Sequence, residues 1–314
     1  MSNQVTLDIV LPALNEFENL KVVVAELFDE FRGGDHDQNA VALSSIIVVD
    51  DGSTDALQGW QPTNSAVSVI HLSRNFGKEA AMLAGLDFST ADYVMLMDAD
   101  GQHRVSDARR LIDTAISEDV NQVVGIRDRS DDPLIRKVLS RLFFALSARL
   151  FGVKSTDGAG DFRVLSRKVV STICQLREVD RYSKGIFEWV GFSSREIPIK
   201  TDDRLSGTSK FTFRRLFALA ISGLFAFNDG LLRRLMWLGL ISVMVSLGLL
   251  VPVLWNTVLG SSTPDGFLTL VGLQFLLAGT QVLLLSLVGE YVARTHRQGR
   301  GRPVYIIDEI VSAD

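Results

Sequence analysis

The sequence predicts an α/β protein: a doubly wound, mainly parallel sheet followed by a C-terminal segment that enters a membrane. Three observations carry this. Between residues 5 and 126, short apolar runs alternate with stretches of helical periodicity, the order expected of βαβ units. Three of those runs end in polar, glycine-containing turns, and in open α/β sheets ligands bind beyond the carboxyl ends of the strands. After Arg233-Arg234, residues 235–259 and again 267–289 carry no charge, each long enough for a hydrocarbon core that needs roughly 20 apolar residues.

Composition narrows the class. The chain has 314 residues, a net charge of −5 and a pI near 5.5, so it lacks the basic footprint of a nucleic-acid binder. A single cysteine, Cys174, excludes an internal disulfide framework, and the four histidines show no paired metal-ligand spacing. The N-terminus carries neither a basic region nor a long apolar core, so no signal peptide is read there. Mean hydropathy is +0.22, high for a soluble enzyme, and the excess sits at the C-terminal end.

In order, residues 5–11 read as a strand closed by Pro12. Asn15-Glu16 opens a helix to about residue 32, with Leu20, Val23, Val24, Leu27, Phe28 and Phe31 at helical spacing. Residues 45–49 form a second strand running into Asp50-Asp51-Gly52-Ser53-Thr54-Asp55, and 67–72 a third, followed by Ser73-Arg74-Asn75-Phe76-Gly77-Lys78 and a helix over 78–88. The fourth strand, 93–97, runs straight into Asp98-Ala99-Asp100-Gly101-Gln102-His103. A helix over 106–117 and a strand over 122–126 follow, then a basic helical stretch over 133–151. Residues 157–163 read as a loop whose Gly-x-Gly ends in Arg163, so it is no dinucleotide fingerprint. A short strand is expected at 195–200, a basic flexible segment at 204–210, and strand character again over 302–308.

Two carboxylates spaced i, i+2 at a strand end suit a divalent ion, Mg²⁺ or Mn²⁺, completed by substrate phosphates. A solvated Asp-Gly turn is the plainer reading of the same residues. Asp50 and Asp51 suit base and ribose hydroxyls, against an alternative role as turn or helix cap. Together these acidic turns suggest a nucleotide-diphosphate substrate. Arginines flank the apolar pair on both sides (Arg214, Arg215, Arg233, Arg234; Arg294, Arg297, Arg300, Arg302), which places both ends in the cytoplasm by the positive-inside rule. Residues 216–227 are apolar but too short to span and suit an interfacial helix. Placing this site on a membrane-anchored domain implies that one substrate is a lipid.

Six motifs occur together in order: Pro12-Ala-Leu-Asn15-Glu16, Val49-Asp50-Asp51-Gly52-Ser53-Thr54-Asp55, Arg74-Asn75-Phe76-Gly77-Lys78, Asp98-Ala-Asp100-Gly-Gln102, Gly160-Asp161-Phe162-Arg163 and Arg204-Leu-Ser-Gly-Thr-Ser-Lys210. With them the chain resembles the family 2 glycosyltransferases of the polyprenyl-phosphate type, such as dolichol-phosphate mannose synthase and bactoprenol glucosyltransferase. The resemblance implies a GT-A fold and inverting transfer of a sugar, glucose first, from a nucleotide sugar such as UDP-glucose to polyprenyl phosphate. It implies that Pro12, Asn15, Glu16 and Asp51 line the nucleoside pocket. By the same resemblance Asp98, Asp100 and Gln102 would hold the metal and donor diphosphate, and Lys78, Arg204 and Lys210 would pair with phosphates or a closing loop. Arg127 and Arg136 look like the lipid-phosphate ligands, and Asp161 matches the acidic position near sugar and acceptor. The family often continues Asp-x-Gln with His-Pro-Pro; here His103 precedes Arg104-Val105.

The expected organisation is a catalytic domain at 1–210, interfacial helices at 211–234, a two-helix membrane hairpin at 235–293 and a tail at 294–314. Catalytic domain and termini face the cytoplasm from the inner membrane, and a homo-oligomer through membrane and tail segments fits the resemblance. Two other readings compete: a processive polysaccharide synthase, which the absence of an Arg-Trp dipeptide disfavours, and an inactive scaffold or sensor with a nucleotide-sugar fold.

Overall fold

The structure, a computed structural model, describes residues 4–32, 41–127, 159–179, 181–199 and 266–313, with residues 241, 244, 248 and 255. The chain divides into two compact units, Met1–Leu219 with Arg302–Asp314, and Ala220–Gly301.

The first unit is built on one sheet. Its strands are β1 (Val5–Ala13), β2 (Val41–Asp50), β3 (Val67–Leu72), β4 (Tyr93–Leu96), β5 (Gln122–Arg127), β6 (Ala159–Ser166), β7 (Ser194–Ile199) and β8 (Ile307–Ser312), in spatial order β7-β5-β6-β4-β1-β2-β3-β8. β1 to β4 are mutually parallel, as are β5 and β7. β6 and β8 run antiparallel to their neighbours. The fold is therefore mainly parallel with two reversed strands. The near-continuous apolar runs of β1, β2 and β4 follow from burial on both faces: Ile9, Val10, Val48, Val49, Val94 and Met95 are all fully buried.

Helices cover the two faces: α1 (Phe17–Arg32), α2 (Lys78–Phe88), α3 (Val105–Ser117), α4 (Arg167–Gln175) and α5 (Ser183–Trp189). α1 buries Leu20, Val23, Val24, Leu27 and Phe31, the stripe its periodicity predicts. α2 differs, being buried at every position from Ala80 to Leu86. Its small residues let it lie close on β1; a Cβ at Gly85 would meet Val10 Cγ1 at 2.3 Å. The turn from α2 into β4 is fixed by buried Asp8 of β1. Its Oδ2 accepts the Ser89 hydroxyl at 2.7 Å and the Thr90 and Ala91 N–H groups at 2.9 and 3.0 Å. Arg167 adds bonds to the Ser89 and Ala91 carbonyls.

Three sequence expectations need correction. Pro12 does not close β1 but sits inside it. Pairing of β1 with β4 ends at Val10, and Met97 N–H bonds the Val10 carbonyl, so Pro12 faces that side beyond the last ladder position, where its missing N–H costs nothing. Residues 159–163 are not loop but the start of β6, where Phe162 is fully buried and Arg163 3% exposed; the glycines and charges masked a strand covered on both sides. The tail strand lies at Ile307–Ser312 rather than 302–308, and it joins the main sheet beside β3. The sequence reading also missed α4 and α5.

In the second unit, α6 (Gly266–Gly299) covers the apolar stretch 267–289. Residues 241, 244, 248 and 255 of the earlier stretch are helical. Among the described residues no helix is long and apolar enough to cross a membrane. The expected elements at 133–151, 204–210 and 216–227 lie outside the described residues.

Candidate active site

Because β1 to β4 are parallel, their carboxyl ends share one edge, and each is followed there by a polar loop. After β1, Asn15 adopts a left-handed backbone with φ 56°, which Asn tolerates better than most residues. Its N–H donates to Ser53 Oγ at 2.9 Å, and its side-chain oxygen accepts Thr54 N–H at 2.8 Å. Phe17 N–H donates to Asp55 Oδ2 at 3.1 Å, so the start of α1 is tied to the same loop. Glu16 accepts from Asn19 Nδ2 at 2.6 Å.

The acidic pair at the end of β2 turns inward. Asp50 accepts Ser53 N–H at 2.8 Å and meets His71 Nδ1 at 2.9 Å. Asp51 accepts Phe76 N–H at 2.7 Å and Gly77 N–H at 2.9 Å. Burial raises the Asp51 carboxyl above its ordinary value, and those two N–H bonds oppose the rise. Expected beside the nucleoside, Asp51 thus anchors the loop that delivers Lys78 at the start of α2.

The centre of the site lies between β4 and β6. Their register pairs Leu96 with Arg163; continuing it two residues sets Asp98 opposite Asp161. Like charges facing across strands repel, and the Lys78 ammonium answers both: Nζ lies 2.6 Å from Asp98 Oδ1 and 2.6 Å from Asp161 Oδ2. Burial works against the charge on Lys78, but Asp98 and Asp161 outweigh it and hold the ammonium above its usual range. Burial would likewise raise Asp161, yet Lys78, Lys184 and Arg163 together keep its carboxyl below the ordinary value. Two residues along β6, the Arg163 guanidinium stacks 3.8 Å from the Phe187 ring of α5, and burial lowers it to about 10.

The turn after β4 completes the arrangement. Asp100 Oδ1 accepts Gln102 N–H at 3.1 Å. His103 stacks on Phe162 at 4.5 Å between ring centroids, its Nδ1 is buried without a hydrogen-bond partner, and burial lowers its pKa. Among the described residues no three His, Cys, Asp or Glu side chains form a metal cage. Two hard carboxylates on a turn, beside an imidazole, fit a divalent ion whose remaining ligands would come from phosphate oxygens and water.

Of the residues the sequence singled out, the fold brings Lys78, Asp98 and Asp161 into contact and sets Asp100 and Gln102 in the next turn. Pro12, Asn15, Glu16 and Asp51 occupy the adjoining β1 and β2 ends. Arg127 closes β5, while Arg136, Arg204 and Lys210 lie outside the described residues. Sequence reasoning missed Glu79 and Lys184. Glu79 Oε2 accepts Ser183 N–H at 2.9 Å and so docks the start of α5 against α2. The charge of Lys184, next to Ser183, acts on Asp161, and the 104-residue separation of Glu79 and Ser183 concealed this docking.

A mainly parallel sheet with acidic turns at its carboxyl edge has the form of a GT-A-like transferase. The chain belongs to glycosyl transferase family 2, whose profile matches residues 8–174. It is 34% identical over 311 residues to CsbB of Bacillus subtilis (strain 168), named for the glycosyltransferase class alone, with 96% of this chain and 91% of that protein covered. A prophage bactoprenol glucosyl transferase homolog of Escherichia coli (strain K12) is 28% identical, with 97% of this chain and 99% of that one covered. The bactoprenol glucosyl transferase of Shigella phage SfX is 29% identical, with coverage of 96% and 98%.

Proposed function

We propose that the chain transfers a sugar, with inversion, from a nucleotide-diphosphate sugar to polyprenyl phosphate, with UDP-glucose as the first candidate donor. The observation that carries this reading is the Asp98–Lys78–Asp161 bridge at the carboxyl edge of the sheet. It gathers a carboxylate for a metal, a cation for phosphate and a buried carboxylate for the sugar at one place. The bactoprenol glucosyl transferase relatives, matched over nearly their whole length, support polyprenyl phosphate as acceptor.

In the reaction a lipid-phosphate oxygen forms the new bond to the anomeric carbon as the bond to the nucleoside diphosphate breaks. That oxygen is already ionised at neutral pH, so it needs orientation more than deprotonation. Asp161 suits this: the cations around it keep it charged and a poor base, fit to hold a sugar hydroxyl. Lys78 can answer the charge that grows on the departing diphosphate. A divalent ion, Mg²⁺ or Mn²⁺, supplies further charge neutralisation at the diphosphate when bound; Asp98 and Asp100, with Gln102 beside them, would hold it. We assign donor contacts at the nucleoside end to Pro12, Asn15, Glu16 and Asp51, and contacts to phosphates to Arg127, Arg136, Arg204 and Lys210.

The charge-free runs 235–259 and 267–289, with arginines at both outer ends, support a two-helix hairpin in the inner membrane at 235–293. Interfacial helices at 211–234 would precede it, with the catalytic domain (1–210) and the tail (294–314) on the cytoplasmic side. The test is transfer from radiolabelled nucleotide sugars to undecaprenyl phosphate in detergent, with Mg²⁺, Mn²⁺ or EDTA and Asp100→Ala as control. Metal-dependent lipid label from one donor, lost in the variant, is the expected result. Donor binding with no lipid label from any donor would overturn the acceptor and favour a scaffold or sensor.

A further inference from the structure

Lys78 is placed for more than phosphate binding. Its Nζ bonds Asp98 Oδ1 and Asp161 Oδ2 at 2.6 Å each, so it already engages a carboxylate that would hold a divalent ion. Two cations on one carboxylate repel each other. The Lys78 side chain is 44% exposed, against 30% for Asp98 and 13% for Asp161, so the lysine is the member of the bridge with the most room to move. Its backbone is not: Asp51 holds the Phe76 and Gly77 N–H groups just before it. Any exchange therefore happens by rotation of the side chain about a fixed stem.

We infer that Lys78 is a resident counter-cation that neutralises the Asp98–Asp161 pair in the resting site and must release Asp98 before a divalent ion is held there. The inference rests on the metal-dependent donor site proposed above and adds its regulation. Metal entry is a cation exchange, and the donor diphosphate drives it by giving the displaced ammonium a new anionic partner. Ion and nucleotide then bind cooperatively, each favouring the state in which Lys78 has left Asp98. A resting protein is thereby kept from holding metal without donor. Asp161 retains a cation whether the bridge is closed or open toward phosphate.

The experiment measures Mn²⁺ binding to the full-length protein in detergent by electron paramagnetic resonance of free Mn²⁺, with and without UDP. Wild type is compared with Lys78→Met and the near-isosteric Lys78→Gln, whose folding is verified by circular dichroism. Removing the cation is expected to tighten Mn²⁺ binding without nucleotide by roughly tenfold, within the usual range of coupling between sites, and to shrink the enhancement that UDP brings. The conservative Lys78→Arg, which keeps the charge, is expected to bind Mn²⁺ as weakly as wild type. Mn²⁺ affinity that is unchanged or weaker in both neutral variants overturns the exchange while leaving the metal-dependent site intact. Failure of every protein, wild type included, to bind Mn²⁺ with or without UDP overturns the metal reading and this inference together.

Discussion

Gly52 offers a sharp test of how the site is positioned. It lies between Asp51 and Ser53 with φ +73°, and a Cβ there would stand 2.7 Å from both Arg74 C and Asn75 N. Gly52→Ala therefore meets two separate penalties. A left-handed backbone costs a non-glycine residue about 1–2 kcal/mol. The clash is with backbone atoms that cannot rotate away, and overpacking of this kind costs about 1–3 kcal/mol. Together the loss is about 2–5 kcal/mol, roughly 5–15 °C in Tm for a domain of this size. Gly59→Ala is the control, since a Cβ there meets nothing within 4 Å. The assay is thermal unfolding of the full-length protein in detergent, paired with donor binding by calorimetry. Relief of the clash moves the Arg74–Gly77 loop that Asp51 holds and that leads into Lys78, so donor affinity falls along with stability. Equal melting of the two variants, within about 0.5 kcal/mol, would refute the close approach of these loops.

Three further outcomes are expected. Asp8→Ala removes the common acceptor of Ser89 Oγ, Thr90 N–H and Ala91 N–H; orphaned donors on the buried Ser89 and Ala91 cost about 1–3 kcal/mol each, and urea unfolding is expected to show a loss of about 2–6 kcal/mol. Burial raises the native Glu79 carboxyl above 4.5, with the Ser183 bonds opposing it. The native state thus binds its proton more tightly, and the associated stability is full below pH 4.5 and lost as pH rises through the native value. Wild type is therefore expected to lose ground to Glu79→Gln between pH 4 and 7, and a difference independent of pH would contradict this. Tyr305→Phe removes the hydroxyl that donates to Asp87 at 2.6 Å; a bond to a charged group is worth about 1.5–3 kcal/mol, so the β8 amides are expected to exchange hydrogen faster by tenfold or more.

The parallel half of the sheet was legible because β1 to β4 are short, mostly apolar runs leading into turn residues, a pattern local to each strand. The same locality placed Asp98 and Asp100 at a strand end. β6 was not legible, because Gly160, Asp161 and Arg163 carry turn and surface signals while the strand's cover comes from elsewhere: Phe187 of α5 lies over Arg163, and His103 stacks on Phe162. α5 itself is only seven residues long, too short for periodicity to register against noise.

Family membership and the parallel strands could be read from the chain alone, since these depend on runs and motifs written within a few residues of one another. The family resemblance also named Lys78, Asp98 and Asp161 as expected site residues. How they meet follows from the fold. The antiparallel entry of β6 beside β4 sets Asp161 against Asp98, and the Asp51-held loop brings Lys78 between them. A charge opposite a like charge is neither good nor bad in a sequence; it becomes a site when the fold brings the two together and supplies one cation for both carboxylates.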